Sequence, residues 1–206
     1  MMTDDKVALI EQLQRAEDEG ERCYAAEDLV AFGDDPAVID ALVAAMESDA
    51  DRGVQEAACS ALVQINSAEV FRHAARLVGC EDAYVRNAAS DILAESESVP
   101  DEIFAEMMKS DDPDVRIFAT VTVDNRRVRT LLPLLVDILY HDDNINVVSA
   151  AINALGNLGC RDVRDDGSSD VDALLAAGRR FADEPFISFA VNGAIEQIED
   201  EAASGN

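Results

Sequence analysis

Residues 82–89 read Asp-Ala-Tyr-Val-Arg-Asn-Ala-Ala, and Leu93 follows one helical turn later. The chain of 206 residues repeats this pattern six times: an acidic or amide residue, an Arg-like position, a pair of small residues and an aliphatic residue. The six copies are residues 18–29, 51–62, 82–93, 112–123, 144–155 and 184–195. The anchor positions are Glu21, Val54, Val85, Val115, Val147 and Ile187, separated by 33, 31, 30, 32 and 40 residues. A period in this range is typical of stacked supersecondary units.

Each copy predicts the first helix of a helical hairpin, because its apolar positions fall at the anchor and three, four and eight residues beyond it. The small pair, as in Ala57-Ala58, leaves room for a neighbouring helix. A second helix with a simpler aliphatic stripe follows each of the first five copies. These second helices are predicted at residues 36–48, 68–79, 100–109, 128–140 and 170–182. Pro133 lies inside the fourth of them and should kink that helix or delay its start.

The pattern therefore predicts an all-α protein, a right-handed α-solenoid of about five to six helical hairpins. We expect one domain over residues 1–201, with a capping helix at 4–18 and a polar tail at 202–206. Repeats should start near residues 19, 52, 83, 113, 145 and 185. The longer last spacing comes from residues 159–169, an insertion that should form an edge loop able to bind a partner or an ion.

The composition is strongly acidic: 43 Asp and Glu against 16 Lys and Arg give a formal net charge of −27. Such a charged surface keeps a protein soluble, and molar salt screens its self-repulsion. The composition resembles that of a cytoplasmic protein from a halophilic archaeon. An acidic nucleic-acid mimic is the competing interpretation, whereas 49% apolar content in a periodic pattern argues against a disordered chain. No signal peptide or membrane-spanning stretch is predicted.

The motif Asp-x-x-Val-Arg-x-x-Ala followed by an aliphatic residue resembles the HEAT-repeat family, and within it the short HEAT-like repeats named after phycobilisome (PBS) lyases. The resemblance covers about residues 18–198 and implies a structural ladder of Asp and Arg residues. Its members are Asp18, Arg22, Asp82, Arg86, Asp112 and Arg116. The arginines should hold a loop carboxylate or carbonyls of a neighbouring repeat. Gln55, Val148 and Ser188 depart from the Arg position, so the ladder should weaken in repeat two and end before repeat five.

No catalytic, cofactor or metal residues are predicted. The HEAT family includes a di-iron hydroxylase with paired His-Glu dipeptides, but neither His73 nor His141 is followed by Glu. The aspartates of the 159–169 insertion invite a calcium hypothesis, although their spacing departs from the known calcium loop. The four cysteines form no C-x-x-C pair, and we expect all four to be reduced. They are Cys23, Cys59, Cys80 and Cys160.

The basic residues offer a candidate partner site. In HEAT arrays the second helices usually line the concave face, so several arginines should lie on or beside one groove. The candidates are Arg72, Arg76, Lys109, Arg126, Arg127, Arg129, Arg179 and Arg180. A basic patch in an acidic field would dock an acidic or phosphorylated protein segment. The alternative is that these arginines pair with nearby carboxylates.

The leading hypothesis is a non-enzymatic adaptor, monomeric or weakly oligomeric, that presents its concave surface to another protein. Phosphate repulsion argues against nucleic acid. Two alternatives stay open. One is a lyase-like or chaperone-lyase role on a chromophore or a modified protein, with Cys59 or Cys80 as the test residue. The other is a structural subunit whose ends stack on copies of itself.

Overall fold

The structure is a computed structural model that describes residues 2–159 and 169–204. These residues form helices and short turns, and no strand occurs among them. The Cα positions divide into two compact units, Met1–Pro100 and Asp101–Asn206. The fold class is therefore all-α, as the sequence predicts, while the expected single domain over residues 1–201 stays a prediction.

The first unit contains six helices. They are α1 (Met2–Arg15), α2 (Glu19–Leu29), α3 (Pro36–Ser48), α4 (Arg52–Ile65), α5 (Ala68–Leu77) and α6 (Ala83–Glu95). First helices stack on first helices, α2 on α4 and α4 on α6, and α3 packs on both α4 and the second helix α5. The capping helix α1 packs on α2 and α3. Helical hairpins thus pack on their sequence neighbours, as in an α-solenoid.

The second unit contains the other six helices of the described chain. They are α7 (Asp101–Met107), α8 (Pro113–Asn125), α9 (Leu132–His141), α10 (Ile145–Leu158), α11 (Asp170–Arg180) and α12 (Pro185–Ser204). The first helices α8, α10 and α12 stack in order, and the second helix α9 packs on α10 and α11. Close approach of α10 to α12 depends on Gly156, since a Cβ built there would lie 2.9 Å from the Cα of Ala194.

The anchor residues form the core, because burying aliphatic side chains is the main favourable term in stacking the helices. Val54, Val147 and Ile187 are fully buried, and Val85 and Val115 nearly so. The small residue four positions beyond each anchor is also buried. These residues are Ala25, Ala58, Ala89, Ala119, Ala151 and Val191. Glu21, which replaces the aliphatic anchor in the first copy, is exposed.

Turn chemistry sets the helix boundaries. The six first helices begin at residues 19, 52, 83, 113, 145 and 185, the starts expected for the repeats. Pro133 lies in the first turn of α9, and the 3₁₀ turn Arg129–Leu131 precedes that helix, so the proline delays the helix start. The polar tail predicted from residue 202 is wrong over 202–204, because α12 runs to Ser204 on a stretch rich in Ala and Glu, both good helix formers.

The insertion lies mostly outside the described residues. The calcium and partner hypotheses for residues 160–168, Cys160 included, therefore stay predictions. At its end, Ser169 and Asp172 form a reciprocal capping box at the start of α11.

Candidate functional site

The ladder arginines Arg22 and Arg116 are held by structural hydrogen bonds. Arg116 donates from Nε and Nη2 to the two carboxylate oxygens of Asp142, at 2.7 and 3.0 Å, and from Nη1 to the carbonyl oxygen of Ser110 at 2.7 Å. Arg22 makes the same fork with Asp49, at 2.9 and 3.0 Å. Each fork joins one first helix to the loop that precedes the first helix of the next repeat. The guanidinium groups are thereby occupied and are poor candidates for binding a ligand.

The ladder aspartates cap helices. Asp18, Asp82 and Asp112 are N-caps, each accepting hydrogen bonds from backbone N–H groups in the first turn of its own helix. Because Asp82 accepts from the N–H groups of Val85 and Tyr84, its pKa is held below the ordinary value.

Among the residues that the structure describes, none forms a carboxylate fork with Arg86. Arg86 donates to the carbonyl oxygens of Cys80 and Glu81 in its own preceding loop, at 2.8 and 3.3 Å. The fork acceptors Asp49 and Asp142 stand two residues before the next capping residue, and in the repeat after Arg86 that position is Ser110. The ladder was predicted to weaken in repeat two, at Gln55. Within the described residues it is also weaker in repeat three, where Arg86 bonds only carbonyl oxygens. An aspartate two residues before a cap, which occurs before Asp51 and before Asn144, was the sequence signal that could have located the forks.

Two of the predicted partner-binding arginines donate hydrogen bonds to backbone carbonyls at the C-termini of helices in the second unit. Arg129 donates to the carbonyl oxygen of Leu158, at the end of α10, from Nε at 3.0 Å and Nη2 at 2.7 Å. Arg180 donates from Nη1 to the carbonyl oxygen of Leu139 near the end of α9, at 2.8 Å. The last carbonyls of a helix lack internal partners and carry partial negative charge, so an arginine stabilises them.

The remaining predicted arginines have mixed surroundings. Arg72 pairs with Glu69 at 2.6 Å, and the guanidinium of Arg126 lies 5.1 Å from the ring centroid of Phe104. Arg127 adopts a positive φ of 54°. Seven of the eight candidates are exposed, and Arg126 is half-buried. The exposed candidates are Arg72, Arg76, Lys109, Arg127, Arg129, Arg179 and Arg180.

Arg72 and Arg76 belong to the first unit and the other six candidates to the second. An acidic or phosphorylated partner for this set stays a prediction, and Arg129 and Arg180 contribute least to it.

A groove that the sequence analysis missed lies in the first unit, where α4 and α6 end and α5 begins. It encloses about 390 Å³. Its lining residues are Leu62, Val63, Asn66, Phe71, Asp91, Ile92, Glu95, Ser96, Glu97 and Ser98. We call it the acid–apolar groove, because carboxylates border an apolar floor. No residue type in the repeat motif pointed to it, since the lining comes from three separate elements.

The floor and rim of the acid–apolar groove differ in exposure. Leu62, Phe71 and Ile92 are buried beneath it, whereas Val63 is 44% exposed. Asp91 and Glu95 stand one turn apart on α6 and are both exposed. The groove thus offers an apolar contact surface beside negative charge.

Hydrogen bonds fix the loops at the mouth of the groove. Ser96 Oγ donates to Asn66 Oδ1 at 2.6 Å and lies 2.9 Å from Ser98 Oγ. Asn66 ends α4 with a φ of 48°, a left-handed conformation that Asn tolerates better than most residues. These contacts therefore hold the two loops against each other at the mouth of the groove.

A second groove of about 410 Å³ lies between α1 and α3. Its walls are mostly small residues such as Ala41, Ala44 and Ala45, and its charged residues include the Arg22–Asp49 fork. Because that fork is already satisfied, this groove has less capacity for specific recognition than the acid–apolar groove.

Four aromatic residues that the sequence did not mark as functional are exposed in the described part of the chain. On α12, Phe186 is 47% and Phe189 82% exposed; Tyr24 on α2 is 68% exposed and Tyr140 on α9 37% exposed. Phe189 lies inside the sixth copy of the motif, where the pattern alone does not separate a covered face from an open one.

The cysteine surroundings oppose thiolate chemistry. Burial raises the pKa of the Cys59 thiol, and the carboxylates of Asp91 and Glu95 raise it further. Burial likewise raises the pKa of Cys23. Cys80 is part-buried, and its Sγ lies 3.3 Å from the carbonyl oxygen of Asp82.

The two histidines each contact carboxylates. His73 Nε2 lies 3.2 Å from Asp40, and His141 Nδ1 lies 2.9 Å from Asp137. Within the described ranges, no group of three or more His, Cys, Asp or Glu side chains has the geometry to hold a metal ion. Over the same residues, no helix is both long and apolar enough to cross a bilayer.

The chain belongs to the HEAT-repeat family. A family model of HEAT repeats matches residues 7–94 and 100–200. No curated protein sequence matches the chain.

Several solved structures share the fold. One solved structure concerns microtubule plus-end tracking by XMAP215, CLIP-170 and EB1. It aligns with a TM-score of 0.56 at 14% identity, and the alignment covers 92% of this chain and 89% of that one. Cex1p aligns with a TM-score of 0.56 at 14% identity over 96% of this chain and 44% of its own. Human deoxyhypusine hydroxylase aligns with a TM-score of 0.50 at 19% identity, and the alignment covers 96% of this chain and 75% of that one. Identities this low establish the fold alone.

Proposed function

We propose that this protein is a non-catalytic protein-binding module that engages its partner through the acid–apolar groove of the first unit. The observation that carries the proposal is a preformed groove of about 390 Å³ with an exposed valine, Val63, above a buried apolar floor. Concave sites with apolar walls and a few placed polar groups are typical recognition surfaces.

The surrounding fold supports this role. Stacked helical hairpins present extended surfaces on a scaffold that needs no rearrangement to bind. Because Asn66, Ser96 and Ser98 already hold one another in place, a partner would lose little affinity to ordering these loops.

A lyase-like role gains no support from the cysteine chemistry. A nucleophilic thiol needs a lowered pKa, but the pKa of Cys59 is raised by burial and by nearby carboxylates. We therefore keep the non-enzymatic role as our proposal.

One observation favours the structural-subunit alternative. Phe186 and Phe189 expose aromatic surface on α12, which a second copy of the chain could cover. Sedimentation at molar KCl would detect this, because mass should rise with concentration and fall again in a Phe189→Ser variant.

The setting we propose is a salt-rich cytoplasm. The net charge of −27 supports it, since counterions must screen a surface of this charge before a partner can approach closely.

The test is affinity capture at molar KCl with matched variants. Val63→Lys places a positive charge in the groove, and Val121→Lys makes the same change at a valine that is 45% exposed on α8 in the second unit. A protein retained by the wild type and by Val121→Lys but lost by Val63→Lys supports the proposal, provided that circular dichroism shows equal helicity. Equal capture by both variants contradicts it.

A further inference from the structure

We infer that the acid–apolar groove takes an arginine side chain from the partner protein. The inference rests on the proposed function and names the chemistry of the partner: a segment in which an arginine is flanked by apolar residues. Its basis is an internal comparison, because the corresponding place in the second unit is filled by arginines of the chain itself.

The backbone establishes the correspondence. Asn66 lies 12 residues after the anchor Val54, and Arg127 lies 12 residues after the anchor Val115. Both residues follow a first helix and both have positive φ, 48° and 54°. No other non-glycine residue in the described part of the chain has a positive φ. The chain therefore has a positive φ at the same repeat position in both loops.

In the second unit, arginines occupy this place. Arg127 Nη1 donates to the carbonyl oxygen of Asn157 at 3.4 Å, and Arg129 donates twice to that of Leu158. Asn157 Nδ2 donates to Asp124 at 2.8 Å. Guanidinium groups thus satisfy the carboxyl end of α10.

In the first unit, smaller residues stand at the positions corresponding to these arginines, beside the groove. Counting from the anchors, Arg127 corresponds to Asn66, Arg129 to Ala68 and Asp124 to Val63, while Asn157 corresponds to Glu95. Two large cations are replaced by smaller neutral side chains, the Asp124 carboxylate by the neutral Val63, and a neutral amide by a carboxylate, so these four positions change from a net charge of about +1 to about −1. The groove is the space that results, and its charge is reversed.

The charges around the groove favour a cation. Neither Asp91 nor Glu95 forms an ion pair among the described residues, and no Lys or Arg lines the groove. The nearby arginines of α4 and α6 are engaged at the opposite ends of their helices. Arg52 lies over the Tyr84 ring, 3.2 Å from its centroid, and Arg86 donates to loop carbonyls. The carboxyl end of α6 adds partial negative charge.

The shape also suits arginine. Its aliphatic stem would cover Val63 and the floor formed by Phe71, while the planar guanidinium would reach the Glu95 carboxylate and the last carbonyls of α6. The partner's arginine would thus bond the end of α6 as Arg129 bonds the carbonyl oxygen of Leu158 at the end of α10.

The probe for the test is the peptide acetyl-Leu-Arg-Leu-amide, with acetyl-Leu-citrulline-Leu-amide as its neutral isostere. Titration into ¹⁵N-labelled full-length protein at fixed KCl should shift the amide signals of Val63, Asn66, Ser96 and Ser98. We expect the citrulline peptide to bind about tenfold more weakly, the loss of one charge-assisted hydrogen bond. Equal binding of the two peptides, or shifts spread over other acidic helices, overturns the inference.

Two matched pairs of variants sharpen the test. Ala68→Arg supplies the missing internal arginine and should abolish peptide binding, whereas Ala37→Arg adds the same charge to the first turn of α3 and should not. Glu95→Gln should weaken binding about fivefold to tenfold, and Glu47→Gln on α3 should leave it unchanged. Equal loss of peptide binding in Ala68→Arg and Ala37→Arg would indicate a general charge effect. It would contradict the inference that the arginine at position 68 fills the groove.

The partner-capture experiment separates the two proposals. Capture lost in Val63→Lys but kept in Ala68→Arg and Glu95→Gln would leave the binding module standing and overturn the inference that the occupant is an arginine. Capture unaffected by Val63→Lys would overturn the binding module, whether or not the peptides bind.

Discussion

Removal of the Arg116–Asp142 fork should destabilise the second unit measurably. Arg116 donates two hydrogen bonds to Asp142, at 2.7 and 3.0 Å, and the two side chains are 16% and 8% exposed. Fully exposed ion pairs contribute about 0–1 kcal/mol, and breaking a buried pair costs about 3–5 kcal/mol. A bidentate pair with this intermediate exposure should therefore show a coupling energy of about 2 kcal/mol.

A double-mutant cycle isolates that coupling from the other bonds of both residues. The variants are Arg116→Ala, Asp142→Asn and the double variant. Asparagine keeps an acceptor for the backbone N–H of Asn144, which bonds the Asp142 carboxylate at 2.9 Å. Arg86→Ala is a useful comparison, because Arg86 contacts only loop carbonyls and lacks the fork.

The measurement is urea unfolding at constant molar KCl, followed by far-UV circular dichroism and by native-state hydrogen exchange of α8 and α10. Hydrogen exchange is needed because repeat arrays can open locally instead of unfolding as a whole. A coupling energy below about 0.5 kcal/mol, the range of a solvent-exposed pair, would refute the argument that the fork joins neighbouring repeats.

Four further predictions concern single residues, and the first of them compares two glycines. Gly193→Ala should stabilise α12 by about 0.5–1 kcal/mol, because no atom lies within 4 Å of the added methyl group. Gly156→Ala should instead destabilise by about 1–3 kcal/mol through its contact with the α12 backbone, and urea midpoints that move together for the two variants would contradict the packing of α10 on α12. Thr120→Val should stabilise by about 1 kcal/mol, since the buried Thr120 Oγ1 has no hydrogen-bond partner in the described structure; a loss of stability would reveal a partner for that hydroxyl. Asp82 has a lowered pKa, so its charge stabilises the fold above the unfolded pKa of about 4 and that contribution is lost as pH falls through the folded pKa. The difference in urea midpoint between wild type and Asp82→Asn should therefore be larger at neutral pH than at pH 3, and a difference independent of pH would contradict it. Cys59 should react with iodoacetamide more slowly than a free cysteine at neutral pH, because its pKa is raised. Reaction as fast as that of free cysteine would contradict this and would support a lyase-like role that uses the Cys59 thiolate.

The helical stack was predictable because it depends on patterns local to each copy of the motif. Val54, Val85 and Val147 are spaced so that one helix face is apolar, and that face is buried as expected. The delayed start of α9 follows from the covalent geometry of Pro133.

The candidate site was not predictable in this way. The sequence placed the partner site on arginines, yet Arg129 and Arg180 bond helix carbonyls in the second unit. The clustering of Arg residues in the sequence does not reveal whether a helix end lies within reach of a guanidinium group. That depends on how adjacent repeats are stacked.

The sequence by itself determined the helices, their order and their buried faces, because helix periodicity and capping act over a few residues. The tertiary structure decided which charges are satisfied and which surfaces stay open. Val63, Phe71 and Glu95 come together only when three helices pack, and Asn66 and Arg127 share a positive φ while differing in side chain. Hydrogen bonding and electrostatic pairing act over a few ångströms in space between residues about 30 apart in the chain, and no local pattern encodes that distance.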